Sequence, residues 1–166
     1  MQRHHHNTEF IKRTHPITIV CDNVINAPNV GGILRIADAF GIKQVIFCGE
    51  RIQFGKRMKK TSRSTENHVA HTIHKDVLQT VFDLKQANNF IIALEITANS
   101  KSLQDFRLST EKPIVLIIGN ENFGITEEVL QLADSVLHID MYGHNSSMNV
   151  TQATSIALYE MTKQLK

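Results

Sequence analysis

Cysteine is scarce: only Cys21 and Cys48 occur among 166 residues, each inside or at the end of an apolar run, where cysteine behaves as a small buried hydrophobe. That argues against a disulfide scaffold and for a reducing, cytoplasmic setting. Charge of one sign is lacking too. With 18 basic against 16 acidic residues the net charge is +2, so any surface for a polyanion must be local. No stretch approaches the roughly 20 apolar residues of a membrane span, and the opening MQRHHHNTEF has no apolar core of a secretion signal. A soluble cytoplasmic protein with no membrane partner is expected. His4, His5 and His6 read as part of a polar, weakly basic tail, and no metal is expected.

No internal repeat, low-complexity tract or linker divides the chain. One domain over residues 17–166, after a basic tail over residues 1–16, is the expectation. The β-branched run at 17–20 follows Pro16 and leads into Asp22 and Asn23, as a buried strand ending in a loop does. Ile33, Ile36, Ala37 and Phe40 recur at helical spacing over 30–40, with Gly41 as a stop. VIFCG at 45–49 is a second strand. The polar stretch after it carries six basic residues between Arg51 and Arg63. A helix over 75–87 and a strand over 90–95 follow, and PIVLIIG at 113–119 is the most hydrophobic strand, hence central. Thr126 is placed to cap a helix opening with Glu127 and Glu128, residues 135–139 form another strand, and a last helix starts near Asn149. Strands alternating with helices imply an α/β fold: a mostly parallel sheet flanked by helices on both faces, with sites beyond the carboxyl ends of the strands.

Three polar segments occupy such positions. NVGGILR (29–35) follows the first strand; its paired glycines permit close approach of backbone or ligand, yet taken alone it reads sooner as an N-capping Asn29 with an exposed Arg35. GNENFGIT (119–126) sets a carboxylate and amides between glycines directly after the central strand, a composition suited to wrapping a small ligand. IDMYGHNSSMNVTQA (139–153) runs from a strand through a polar cluster into the last helix, which Ser147 or Asn149 could cap.

In this order and spacing the segments resemble the three motifs of the SpoU/TrmH family of RNA 2'-O-methyltransferases, part of the SPOUT superfamily. The resemblance runs through nearly all of the chain from Ile17. Two departures stand out: Asn122 and Phe123 replace the small residues common after the second-motif Glu, and Met148 stands where Leu is common. Met fills a Leu-like volume.

The resemblance implies a deep C-terminal trefoil knot, against the usual rule for connections, an S-adenosylmethionine pocket lined by Leu94, Gly119, Ile139 and Met148, S-adenosylhomocysteine as product, and a homodimer. It assigns the catalytic role to Arg35, with Asn29, Glu121, Ser147 and Asn149 orienting Arg35 and the ribose or phosphate. A guanidinium stays protonated in proteins, so stabilising the developing alkoxide, or binding the adjacent phosphate, suits Arg35 better than service as a literal base. Lys56, Arg57, Lys59, Lys60 and Arg63 form the candidate RNA surface, equally readable as a solvated face. Aromatic residues are few, which makes base stacking secondary to phosphate and cofactor contacts.

Family members modify tRNA or ribosomal RNA, and several carry an extra amino-terminal RNA-binding domain, which this chain, with about 16 residues before the first strand, is expected to lack. The short form and MKKTSRSTENHV resemble members acting on tRNA, including those that methylate a D-loop guanosine; ribosomal RNA is the alternative. Two further readings compete: an inactive RNA-binding relative, disfavoured by the intact motif residues, and a Rossmann nucleotide enzyme. Glu50 could supply the acidic residue of the latter, but NVGGILR lacks its glycine fingerprint.

Overall fold

The computed structural model describes residues 10–165, so His4, His5 and His6 lie outside the described residues. Its strands are β1 (His15–Asp22), β2 (Ile42–Cys48), β3 (His71–His74), β4 (Phe90–Leu94), β5 (Lys101–Ser102), β6 (Ile114–Ile118) and β7 (Ser135–His138). Its helices are α1 (Ala27–Ala39), α2 (Lys56–Ser62), α3 (Val77–Gln86), α4 (Glu127–Leu130) and α5 (Val150–Gln164). The strands form one sheet in the order β3-β2-β1-β6-β4-β7-β5, and each pairing is parallel.

The side-chain period of two sorts the sheet residues between two cores. Ile114, Leu116 and Ile118 of β6 face the layer of α1, α2 and α5, where Ile33, Leu34, Met58 and Leu158 pack. Val115 and Ile117 face α3 and α4, where Val81 and Val129 pack. All five β6 residues are buried, each contributing about 1.5–3 kcal/mol if apolar burial alone is counted. The expected helices on both faces and the central placement of this strand are found. Cys21 and Cys48 are buried free thiols. Burial pushes the Cys21 thiol well above its ordinary range and Cys48 up to about 11, the latter against the opposing hydrogen bond of Thr80.

The order in the sheet departs from the order in the chain. β6 inserts between β1 and β4, and β7 between β4 and β5, so two late strands each enter between strands laid down before them. Because all strands run parallel, their carboxyl ends share one edge.

Boundaries differ from the sequence reading at instructive places. β1 begins at His15 and α1 at Ala27, with Asn26 at the N-cap and a proline in the first turn, where the missing N–H costs nothing. Asn29 is therefore inside the helix, and the N-capping reading of Asn29 is corrected. The basic stretch contains α2, whose Met58 and Ser62 are buried while the lysines and arginines point outward. Thr126 holds the N-cap position of α4 but makes no side-chain cap bond. Asn149 does cap α5, its side-chain oxygen accepting from the Thr151 amide at 2.9 Å. The edge strands β3 and β5 were not expected.

Candidate functional site

A cavity of about 500 Å³ opens at the carboxyl ends of β4, β6 and β7, within the range of small-molecule sites. Leu94 and Glu95 line it from β4, residues 118–125 from the end of β6, and His138, Ile139, Met141, Ser146, Ser147 and Met148 from the segment entering α5. Leu94, Gly119, Ile139 and Met148, the four positions expected to hold the cofactor, are all in its wall, together with Glu121 and Ser147.

The wall after β6 is a turn closed by its own backbone. Asn120 and Gly124 exchange amide–carbonyl bonds in both directions, at 3.2 and 2.9 Å. The Asn120 side-chain oxygen accepts from the Asn122 amide at 2.8 Å and the Phe123 amide at 3.2 Å, and its amide donates to the Asn23 carbonyl at 2.8 Å. Gly124 has φ +67°, and a Cβ there would meet Glu95 Oε2 at 2.5 Å, so glycine is required on both counts. Glu95 fastens the turn to β4, its carboxylate accepting from the Ile125 amide at 3.0 Å and from the Ile96 amide at 2.9 Å. Asp22, buried at the end of β1, accepts from the Thr126 amide at 3.2 Å and from Asn23 at 2.8 Å.

Residues from all three motif segments meet at the rim. Asn29 donates to Glu121 Oε1, and Asn149 donates to Asn29 Oδ1 at 3.1 Å. Asn149 is itself held by Thr151, whose amide and hydroxyl both donate to its side-chain oxygen. An amide side chain accepts and donates at once, which lets Asn29 and Asn149 pass the linkage from α5 to Glu121. Paired glycines make the approach possible. A Cβ on Gly31 would collide with the Met58 carbonyl of α2, and one on Gly32 would stand 2.8 Å from Thr151 Cγ2 at the start of α5. The close approach they permit is by protein on both sides.

Arg35 is not brought into this linkage. It lies nearly two turns along α1 from Asn29, on the order of 9 Å along the axis and about 120° around it. It is exposed, and among the described residues it makes no hydrogen bond or ion pair and does not line the cavity. Lys56, Arg57, Lys59, Lys60 and Arg63 are likewise exposed, on α2 and its left-handed C-cap. Glu95, Asn120 and Asp22 build the site without having stood out individually in the sequence. A signal was present: Asp22 and Glu95 are the first carboxylates at the ends of buried strands, and a carboxylate there must find donors.

A parallel α/β sheet with an open cavity of mixed apolar and polar lining at its strand ends, and hydrogen-bonded amides and a carboxylate beside it, is the arrangement in which enzymes of this fold class bind nucleotide-like ligands. The family model described as SpoU rRNA Methylase family matches residues 16–159. The tRNA (guanosine(18)-2'-O)-methyltransferase of Escherichia coli (strain K12) is 32% identical over 160 residues, covering 94% of this chain and 67% of that protein. The protein of the same name from Aquifex aeolicus (strain VF5) is 32% identical over 154 residues, covering 92% and 72%. Among solved structures, the A. aeolicus TrmH/SpoU tRNA modifying enzyme superposes with a TM-score of 0.82 at 28% identity, over 92% of this chain and 77% of that one. The AdoMet-bound rRNA methyltransferase from Sinorhizobium meliloti gives 0.83 at 25% identity, over 92% and 59%. The chain belongs to the SpoU rRNA methylase family and is an S-adenosylmethionine-dependent RNA 2'-O-methyltransferase.

Proposed function

We propose that this enzyme methylates a ribose 2'-hydroxyl of tRNA, and that the Asn29–Glu121–Asn149 linkage at the cavity rim is where the ribose is received. The linkage carries the reading: it draws on all three motif segments and reaches the cavity wall through Glu121. The choice of tRNA rests on the names of the relatives that cover most of the chain.

The cavity suits S-adenosylmethionine. Leu94, Ile139 and Met148 offer apolar surface for an adenine ring and the methylene groups of the methionine chain, and the turn at Gly119 offers backbone groups at the same wall. When bound, the cofactor supplies a methyl group activated by a sulfonium. The chain's own task is the acceptor. A ribose hydroxyl is weakly acidic, so its oxygen needs a positive partner or a proton acceptor as the proton leaves. Glu121, oriented by Asn29, offers a carboxylate at the rim; Ser147 lines the same cavity. The family resemblance gives Arg35, which stands outside the cavity wall, the part of the cation that steadies the developing alkoxide or the neighbouring phosphate. The exposed residues Lys56, Arg57, Lys59, Lys60 and Arg63 form the surface that attracts the RNA backbone.

A C-terminal trefoil knot, a homodimer, one methyltransferase domain from residue 17 onward and a cytoplasmic location complete the proposal. Insertion of β6 and β7 between earlier strands supports the knot. A shallow groove between α1 and α5, lined by Ile36, Met148 and Ile156, with the exposed Tyr159 on the same helix, supports a dimer that covers it. No described helix is long and apolar enough to cross a membrane. The test is transfer of labelled methyl from S-adenosylmethionine to bulk tRNA and to ribosomal RNA, followed by mass-spectrometric identification of the nucleoside. A 2'-O-methylnucleoside in tRNA is expected; label confined to ribosomal RNA would overturn the substrate, and label on a base would overturn the reaction.

A further inference from the structure

Phe123 and Tyr142 are 89% and 88% exposed in a chain with eight phenylalanines, two tyrosines and no tryptophan. Phe47 is fully buried and Phe54, Phe90 and Phe106 pack against the core, while Phe10 and Phe82 are exposed as well, so it is placement and not exposure alone that sets Phe123 and Tyr142 apart. Both exposed rings stand on loops that wall the cavity. Phe123 is itself a lining residue, two positions after Glu121, and Tyr142 follows the lining residue Met141.

The loop bearing Phe123 is a built platform. Its amide is held by Asn120 Oδ1 at 3.2 Å, the neighbouring Gly124 is bonded to Asn120 in both directions, and Glu95 anchors Ile125 at 3.0 Å. Yet the ring caps nothing: the aromatic contacts among the described residues involve neither Phe123 nor Tyr142. Ile125, on the same turn, is buried, so an apolar interior was within reach of the loop. A rigid turn that holds an aromatic ring in solvent beside a carboxylate is arranged for something that arrives from outside.

The chemistry of the acceptor says what arrives. The methylated oxygen is on C2' of the ribose, and the nucleobase is on the adjacent C1', so any ribose received at Glu121 brings its base close beside it. Every base has a π-face, and stacking on an aromatic side chain tolerates any sequence. We propose that Phe123 is a substrate-positioning residue that stacks on the base of the nucleotide being methylated and so holds the 2'-oxygen at the cavity mouth. The proposal rests on the RNA methyltransferase reading above. It gives base stacking a larger part than the small number of aromatics suggests, because placement outweighs number.

Phe123→Ala, Phe123→Leu and Phe123→Trp, compared with wild type in labelled-methyl transfer to the RNA that wild type modifies, test the inference. Expected for Phe123→Ala is a rise in KM for RNA of about 10- to 100-fold, with the dissociation constant for S-adenosylmethionine within twofold of wild type. Phe123→Leu keeps the apolar bulk but not the π-face and should stay impaired, whereas Phe123→Trp should restore KM. Since the sequence has no tryptophan, the Phe123→Trp variant also carries a single reporter whose emission should be quenched by RNA and not by S-adenosylhomocysteine alone. An unchanged KM in Phe123→Ala, full activity in Phe123→Leu, or emission unmoved by saturating RNA overturns the stacking role. Weakened S-adenosylmethionine binding in Phe123→Ala overturns it in favour of a ring that covers the cofactor. A wild-type protein that transfers no methyl to any RNA overturns the functional reading itself, and does so before any variant is compared.

Discussion

Asn149 donates its side-chain amide to the side-chain oxygen of Asn29 at 3.1 Å, across 120 positions of sequence. The bond ties the first turn of α1 to the N-cap of α5, and Asn29 extends it to Glu121. Each of the three residues is thereby fixed by a segment remote from its own, which makes the linkage sensitive to any one of them.

Replacing Asn29 by alanine removes the middle member. Asn29 is 7% exposed, whereas Glu121 and Asn149 are exposed, so water can take up the bonds they lose while their orientation is no longer fixed. We expect a stability loss of about 0.5–1.5 kcal/mol, visible as a slightly lowered Tm, and at least a tenfold fall in turnover with S-adenosylmethionine binding retained by calorimetry. Asn29→Asp should be worse, since it sets a second carboxylate against Glu121. Turnover of Asn29→Ala within twofold of wild type would separate the linkage from catalysis.

Arg35→Ala should abolish methyl transfer and leave cofactor binding and Tm close to wild type, because the side chain is exposed and outside the cavity wall. Arg35→Lys keeps the charge without the planar fork. Partial activity in the lysine variant is the expected signature of a cation that steadies an oxyanion or phosphate. Near-normal turnover of the alanine variant would remove Arg35 from the mechanism.

The adjacent glycines should respond differently to alanine. Gly31 has the Met58 carbonyl and the Ser62 amide against it, the latter 3.0 Å from where a Cβ would lie. Backbone cannot step aside, and Gly31→Ala should cost about 1–3 kcal/mol by overpacking. Gly32 faces Thr151 Cγ2 at 2.8 Å, a side chain that can move, but Thr151 holds Asn149. Gly32→Ala should therefore lose more activity than stability. Equal Tm and equal turnover in the pair would refute this division.

If the α2 cluster binds the RNA backbone, a variant with Lys56, Lys59, Lys60 and Arg63 all changed to alanine should bind more weakly and with a shallower dependence on salt. For every phosphate that the variant no longer neutralises, the slope of log K against log salt should flatten by roughly 0.7–0.9. Filter binding from low to moderate salt would show it, and an unaltered slope would return the cluster to a solvated face.

The thiols give a pH test. Folding raises both Cys21 and Cys48 above the ordinary value of 9.0, Cys48 to about 11. The unfolded chain thus ionises first as pH rises. Their stabilising contribution is complete below about pH 9 and lost progressively as pH climbs through the folded values. Denaturant midpoints should fall over that window, less so in a Cys48→Ser variant. Thiol reagents at about pH 8 should label the native protein slowly and the unfolded protein at once. Rapid labelling of the native protein would contradict the burial.

Element type was readable wherever composition is local and strongly patterned. The run at 113–119 is apolar on both faces and could only be a covered strand, and the helical spacing of Ile33, Ala37 and their neighbours belongs to any amphipathic helix. Where burial leaves no local mark, the reading was silent. β3 is HTIH with largely exposed side chains, and β5 is two residues long; both are strands because a neighbour offers a free edge. α2 sits in a polar stretch and is anchored through Met58 and the gap left by Gly31, an association between segments far apart in the chain.

Of the feature that matters most, the sequence by itself determined the ingredients: three polar segments after buried strands, each with its glycines, amides and carboxylate, and the resemblance that names their family. Tertiary structure alone decided that Asn29 is a buried helix residue and not a cap, that Gly31 and Gly32 admit α2 and α5 and not a ligand, and that Asn29, Glu121 and Asn149 join while Arg35 stands apart. The reason is physical. Whether a residue forms a strand or helix is set largely by neighbours within a few positions, whereas a hydrogen bond spanning 120 positions exists only once the parallel sheet has brought the ends of its strands to one edge.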